Sequence, residues 1–441
     1  MSKILPKTLC TLLFLAVACP AYPADLMDIY GHALDSDPQY LQVAADRRAT
    51  LEQHPQARAR LLPSLSISAN AFTNEEDITS VFNPIDRPSK VSFGSHGYSL
   101  DLVQPLFNGE RIVSYLQADS LINRADAELG AARQDLIVRT TQAYFEALAA
   151  HDNLGFAEAE KKSLSRQLEQ AQQRFEVGLS AITDVQEAQA GFDRAVAAQI
   201  AARNNVDNAL EALRAITGSY FSDLALLGAT MPLVSPQPEE IETWTGAALE
   251  QNLEVQAARH AVDSARREVQ KRRAGHLPAL DMVARHSYFS TGGRFGSLDN
   301  TTNSIGVEVS MPLFQGGYVS SRVRETRERL NAELERLEQA RRQAQRLTRQ
   351  AYLGVISGIS QVKALQQAVV SSETALAATE AGFDVGTRTA VDVVAAERAT
   401  SQARRDYARA RYDYLLDTLR LKQAAGSLSI DDLRGVNRWL E

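Results

Sequence analysis

A chain of 441 residues with 7% aromatic, 23% charged and 44% hydrophobic side chains lacks the material for two thick globular cores. It suits long helices with narrow apolar seams. Its formal net charge of −7 gives no support to nucleic-acid binding, which calls for a basic face.

The chain opens with a secretion signal over residues 1–24. Lys3 and Lys7 form a basic start, and Leu9–Ala18 is an apolar run too short to span a bilayer. Cleavage after Ala24 is the expected event, although Tyr22 departs from the small-residue rule. Cleavage before Cys19, with lipid added to that cysteine, is the alternative. Both cysteines, Cys10 and Cys19, lie in this segment. Cleavage after Ala24 leaves no thiol for a disulfide or a metal site. Losing Lys3 and Lys7 moves the charge from −7 to −9. No later apolar run is long enough for a membrane helix.

A first helix is predicted from Asp37-Pro38, an N-cap followed by a first-turn proline, to Arg60, with a bend at Pro55. Period-two alternation follows. Leu65, Ile67, Ala69 and Ala71 point one way and Ser64, Ser66, Ser68 and Asn70 the other; Tyr98, Leu100 and Leu102 oppose Ser99 and Asp101. Strands near ten residues are expected, with polar hairpin tips around Asn74–Ser95. The strands alone fit a half-buried soluble sheet and a membrane barrel wall equally well.

A proline-free stretch from Arg111 to Phe175 carries a seam from Ala118 to Ala171, Ala or Leu at each position except Thr140 and Lys161. Its spacing is eleven-residue at first, which favours nearly straight packing, and seven-residue from Ala143 on, which favours a left-handed coil; such a seam alone reads as a coiled coil. A glycine turn and a helix over Ile182–Thr217 follow. Residues 219–252, with MPLVSPQPEE, read as a connecting loop.

Then the order repeats. Leu253–Ala274 is a helix. Leu280, Met282, Ala284 and Tyr288 oppose Asp281, Arg285 and Ser287, and Ile305, Val307 and Val309 oppose Gly306 and Glu308, with a tip at Thr291–Asn303. A long helix Tyr318–Ala381 and a shorter one Thr389–Ala425 complete the half. RFEVGLSAITDV (Arg174–Val185) returns as GFDVGTRTAVDV (Gly382–Val393), 208 positions on. The domain reading is therefore a first repeat over 25–218, a connecting segment 219–252, a second repeat over 253–426 and a short tail 427–441. In each half one rod of about 96–98 Å matches two shorter helices that stack to about 89 Å.

Four strands cannot close a membrane barrel, and an open edge in lipid leaves backbone groups unsatisfied. Several copies must therefore share one barrel, and four rods from each continue it as a helical tube.

At these residues the chain resembles the TolC family of outer-membrane channels, the exit ducts of type I secretion and tripartite efflux. The likeness runs through DLMDIYGHALDSDPQ, LLPSLSISA, QPLFNG, QRFEVGLSAITDVQEAQA, GHLPALDM, MPLFQGG, GFDVGTRTAVDVVAAE and ARYDYLLDTLRLK. It implies a mainly α protein with a transmembrane β part: a homotrimer in outer-membrane lipid, with a 12-stranded β-barrel, a periplasmic α-helical tunnel and an equatorial collar drawn from Tyr220–Asn252 and the tail. It implies two partners, a periplasmic adaptor and an inner-membrane ABC or proton-driven transporter.

The resemblance also assigns residues. Asp184 and Arg388 are expected to meet between neighbouring copies, Asp392 to ring the periplasmic opening, and Phe383 to pack beside it. The turns Val177, Gly178, Leu179, Thr183 and Asp184, and Val385, Gly386, Thr387 and Arg388, are expected to dock the adaptor. Two positions depart from the family pattern: Phe383 replaces a tyrosine, and Ala395 replaces a second acidic residue. The likeness therefore does not extend to a second acidic ring or to a phenolic hydrogen bond.

Without the resemblance, Asp184, Arg388 and Asp392 read as solvated tip charges or helix caps. The seven histidines have no ligand spacing, and no GxxxxGK[ST] or GxSxG occurs, so no cofactor or enzymatic chemistry is expected. The competing class is a periplasmic coiled-coil adaptor or structural protein, against which two equal hairpins and alternating strands argue.

Overall fold

The computed structural model describes residues 23–78, 89–228, 231–293 and 296–440. The expected signal, with Cys10 and Cys19, lies outside the described residues apart from Pro23 and Ala24, as does the centre of the first hairpin tip. In chain order the elements are α1 (Leu26–Ser36), α2 (Pro38–Leu51), α3 (Gln53–Ala59), β1 (Ser64–Ile78), β2 (Ser89–Phe107), α4 (Gly109–Glu176) and α5 (Ile182–Thr217). They continue with α6 (Ile241–Gln251), α7 (Leu253–Ala274), β3 (Ala279–Thr291), β4 (Leu298–Ser310), α8 (Tyr318–Asp384), α9 (Ala390–Ala425) and α10 (Ile430–Asn437).

The four strands form one antiparallel sheet in the order β1-β2-β3-β4. Leu65 lies opposite Leu102, Leu102 opposite Ala284, and Ala284 opposite Ile305. The register thus gathers most apolar residues of the four strands on one face, as the alternation predicts, while Val103 and Val283 pair on the other. Exposed Ile305, Val307 and Val309 leave this face uncovered in the single protomer. Tyr98 and Tyr288 pack at 5.8 Å at one end of it. Exposed Phe107, Phe314 and Tyr318 lie near the other end. The opposite face carries Asp101 paired with Arg285.

The strands run longer than expected, 15 and 19 residues for β1 and β2 and 13 each for β3 and β4. Pairing continues through Thr73–Gly94 and Glu75–Ser92, where β1 carries only polar residues from Thr73 to Asp77 on both faces. Backbone hydrogen bonding needs no apolar alternation, so the pattern faded before the strands ended.

The first helical stretch is broken rather than bent: α2 stops at Leu51 and α3 restarts at Gln53. Pro55 lacks the N–H that would bond Leu51, so it sits in the first turn of a new helix, where none is needed. The connecting segment is not all loop, since α6 occupies Ile241–Gln251. The tail likewise folds, as α10, with Ser429 and Asp432 forming a capping box.

Helix α4 has 68 residues and α8 has 67, about 100 Å each. The α4 seam is buried or half-buried at every position from Ala118 to Ala171. Both halves turn in the same way. Gly178 and Gly386 have φ of 76° and 79°, and Gly218 and Gly426 have 69° and 80°. Each pair is separated by the 208 positions of the sequence repeat.

The main core lies midway along the rods. Leu26, Ile29 and Tyr30 of α1 pack with Leu136, Tyr144 and Leu148 of α4, Leu415 and Leu419 of α9, and Leu433 of α10. Polar ties close it. Tyr144 donates to the Ala225 carbonyl at 2.7 Å, and Tyr412 donates to Asp152 at 2.7 Å. Asn437 accepts from the Leu26 amide at 2.9 Å, fixing the tail to the first helix.

Candidate functional site: the paired hairpin tips

Helices α4 and α8 end in the same way because each reaches a glycine that adopts left-handed backbone without strain. The Leu179 amide donates to the Arg174 carbonyl, and the Thr387 amide to the Gly382 carbonyl, both at 2.8 Å. This closes a Schellman-type end in each turn. Little surrounds the turns. Val177, Leu179 and Val385 are 69%, 78% and 76% exposed, and Ile182 and Val391 are exposed beside them. The two turns therefore present a small apolar cap at one end of the rods, an arrangement that suits contact with another protein.

The returning helices differ. Helix α9 starts with a capping box in which Thr389 and Asp392 bond reciprocally. The Asp392 carboxylate accepts from the Thr389 amide at 2.9 Å and from its hydroxyl at 3.0 Å. These bonds, with a smaller contribution from the Arg388 charge, hold the Asp392 carboxyl below the ordinary carboxylate range. Asp392 is thus a cap as well as a charge. Helix α5 has Ala181 at the equivalent place and no side-chain cap. Asp184 lies in its first turn, where the helix N-terminus favours an anion. Thr183 is exposed beside it.

Arg388 lies against Gly382, where an added Cβ would stand 2.7 Å from the Arg388 Cγ. Thr387 donates its hydroxyl to the Gly382 carbonyl at 3.0 Å. Among the described residues no hydrogen bond or ion pair joins Asp184 to Arg388 within the protomer. Phe383, half-buried, lies under the Arg174 guanidinium, 4.8 Å from it. Just above the tips Gly191 of α5 allows close approach to Val394 of α9.

Sequence reasoning missed Arg174. Its Nη1 donates to the Phe383 carbonyl at 3.3 Å and its Nη2 to the Asp384 carbonyl at 3.1 Å. The signal was present: Arg174 is the repeat partner of Gly382, so the two turns differ at that position.

The described helices include none long and apolar enough to cross a membrane; the uncovered apolar sheet face is a separate matter. No group of His, Cys, Asp and Glu among the described residues is arranged to hold a metal.

The sequence matches the model of the outer membrane efflux protein family over residues 29–219 and 244–427. It is 38% identical to outer membrane protein TolC of Vibrio cholerae serotype O1, covering 100% of this chain and 99% of that one. It is 33% identical to the alkaline protease secretion protein AprF of Pseudomonas aeruginosa, over 94% of this chain and 86% of that protein. Among solved structures, the fold is similar to the Campylobacter jejuni CmeC outer membrane channel, with a TM-score of 0.80 at 17% identity over 95% of this chain and 90% of that one. It is also similar to VceC of Vibrio cholerae, with a TM-score of 0.75 at 20% identity over 92% and 99% of the respective chains. These likenesses and the duplicated hairpin-and-rod architecture agree, and the chain belongs to the outer membrane efflux protein family.

Proposed function

We propose that three copies of this chain form a duct that crosses the outer membrane and the periplasm and carries cargo out of the cell. The observation that carries this reading is the four-stranded sheet with two open edges, joined to rods of about 100 Å. Strands β1 and β4 run in opposite directions, so β4 of one copy pairs antiparallel with β1 of the next. Three such sheets give 12 strands, a size within the known range of membrane barrels. The apolar face of Leu65, Ile67, Ala284 and Ile305 then meets lipid, with aromatic residues at both its borders. The polar face of Asp101 and Arg285 lines the lumen. The rods continue the barrel through the periplasm. In this reading 25–218 and 253–426 are structural repeats, and 219–252 with the tail forms a collar around the buried middle of the rods.

The duct is passive, and its energy comes from an inner-membrane ABC or proton-driven transporter coupled through a periplasmic adaptor. The exposed turns Val177–Asp184 and Val385–Arg388 are the docking surface for that adaptor. Asp184, Phe383, Arg388 and Asp392 form the gate, with Asp184 and Arg388 pairing between neighbouring copies and Asp392 ringing the opening. The names of relatives point to cargo of two kinds: AprF and the PrtF protein of Dickeya chrysanthemi are protease secretion proteins, and BepC of Brucella suis is an efflux protein.

The test is direct. The unheated protein, extracted from outer membranes, should migrate near three times its protomer mass and conduct ions in planar lipid bilayers. A monomer in the soluble periplasmic fraction, without conductance, would overturn the reading in favour of an adaptor or structural protein.

A further inference from the structure

The gate just proposed rests on contacts between copies. The single protomer contains a further contact that joins its own two tips. Helix α8 ends without a basic residue in its last turn, and Asp384 adds negative charge there. A helix C-terminus calls for a cation or donor. That group comes from another helix. The Arg174 guanidinium of α4 donates to the Phe383 and Asp384 carbonyls at 3.3 and 3.1 Å, and it covers the Phe383 ring at 4.8 Å. Gln170, one turn earlier, reaches the Asp384 carboxylate at 3.4 Å.

The repeat makes this tie one-directional. The residue 208 positions after Arg174 is Gly382, which carries no side chain to reach back. Its bareness serves the other turn, because Arg388 folds its stem over that backbone. One ancestral position has thus become a reaching arginine in the first tip and a seat for an arginine in the second.

We propose that Arg174 is a latch within each protomer, a positioning residue that holds the α8–α9 tip against the α4–α5 tip in the closed duct. This rests on the reading that the tips form the gate. If the α8–α9 tip swings outward alone, the two carbonyl bonds and the ring contact break together. If both tips move as one body, the latch stays closed and only contacts between copies open. The latch therefore decides whether a protomer opens by bending between its two hairpins. Since Phe383 offers a ring without a hydroxyl, a cation over its face is the polar interaction that ring can make.

The test uses the full assembled protein in planar bilayers, with Arg174→Ala, Arg174→Lys, Phe383→Leu and, as an independent arm, Arg388→Ser. Arg174→Ala should raise the occupancy of higher-conductance levels about tenfold, the scale on which losing charge-assisted contacts shifts a two-state equilibrium. Lysine keeps the charge over the ring and loses the fork, so Arg174→Lys should fall between wild type and alanine. The double variant Arg174→Ala with Phe383→Leu should exceed Arg174→Ala by less than the effect of Phe383→Leu alone, because the two remove one shared contact. Unchanged conductance in Arg174→Ala, with a rise in Arg388→Ser, would overturn the latch and leave the gate where it is proposed. Unchanged conductance in every variant would overturn the gate itself. Oligomer yield is read in parallel. Should Arg174→Ala fail to assemble, Arg174→Lys, which keeps the charge and loses the fork onto the Phe383 and Asp384 carbonyls, decides the question by the same recording, and wild-type conductance in it overturns the latch.

Discussion

The clearest quantitative consequence of the duplication lies at two glycines that look alike in sequence. Gly218 and Gly426 each end a 36-residue helix in left-handed backbone, with φ of 69° and 80°. Alanine at either position meets the same backbone penalty, about 1–2 kcal/mol. Their surroundings differ. A Cβ at Gly218 would stand 3.2 Å from the Ser36 Cβ, which can give by a few tenths of an ångström. A Cβ at Gly426 would stand 2.3 Å from the Gln251 carbonyl oxygen and 2.7 Å from the Asn252 amide nitrogen. Those atoms are the backbone joint between α6 and α7, and they cannot move without dragging both helices. The overlap adds an overpacking term of about 1–3 kcal/mol.

Gly218→Ala should therefore destabilise by about 1–2 kcal/mol and Gly426→Ala by about 2–5 kcal/mol. The measurement is the guanidinium concentration at which the detergent-solubilised oligomer dissociates and unfolds, followed by gel mobility and circular dichroism. Membrane oligomers often unfold irreversibly, so the two variants are compared at one fixed time and temperature. Equal loss in both variants would show that the backbone conformation alone sets the penalty, and the close-approach reasoning would fail.

Three further outcomes are expected. Arg139→Ala should lower the temperature of oligomer dissociation, because Arg139 forks onto Asp37 at 2.8 and 3.1 Å and Asp37 is only 3% exposed; stranding that carboxylate costs about 2–4 kcal/mol. Burial pushes the Asp37 carboxyl up, but the Arg139 bonds and the Tyr40 amide outweigh it and leave it below its ordinary value. The pair's contribution is then complete at neutral pH and lost as pH falls through the folded value, so the gap to wild type should close below about pH 4, and a gap that persists unchanged in acid would refute this. Tyr412→Phe should destabilise by about 1–3 kcal/mol, since burial keeps this phenol protonated as the donor to Asp152; an unchanged thermal midpoint would show that water replaces the bond without loss. Asp392→Asn should keep an acceptor for the Thr389 amide while removing the charge, so cation preference in bilayer recordings should fall with oligomer yield unaffected, and unchanged selectivity would place the ion filter elsewhere.

Local features were legible in the sequence. Alternation placed Leu65, Leu102 and Ile305 on one sheet face because side-chain direction follows directly from strand backbone. The αL turns were legible because glycine at 178 and 386 is read without knowing the fold. What failed to show depends on partners distant in sequence. Tyr144, Leu415 and Leu433 are unremarkable residues until three helices and the tail meet around them. Helix α6 was hidden by the prolines that precede it. The capping role of Asp392 is an intermediate case. Thr389 and Asp392 stand three apart, as a capping box requires, and the family likeness drew attention to charge instead. Arg174 was legible only as a mismatch between repeats, and its meaning needed the second tip beside it.

The placement of large side chains bears on where this molecule moves. Around the middle of the rods, Tyr30, Tyr144, Leu136, Leu148, Leu415 and Leu419 are fully buried, and each contributes about 1.5–3 kcal/mol of apolar burial. Beyond Leu164, toward the tips, the buried residues shrink to Ala171, Ala188, Ala390 and Val393. Small residues bury little area, so separating the helices there exposes little apolar surface to water. What remains at the tips is polar and local: a capping box, the Arg174 fork, and the Arg388 stem on Gly382. In the proposed gate, opening would then involve the last turns and leave the middle undisturbed. Substitutions at Gly426, Arg139 or Tyr412 should change how long the assembly survives and leave conductance alone. Substitutions at Arg174, Arg388 or Asp392 should change conductance or selectivity and leave survival alone. A tip variant that dissociated as readily as Gly426→Ala would show that the two regions fold as one cooperative unit, and gating would then have to strain the whole rod.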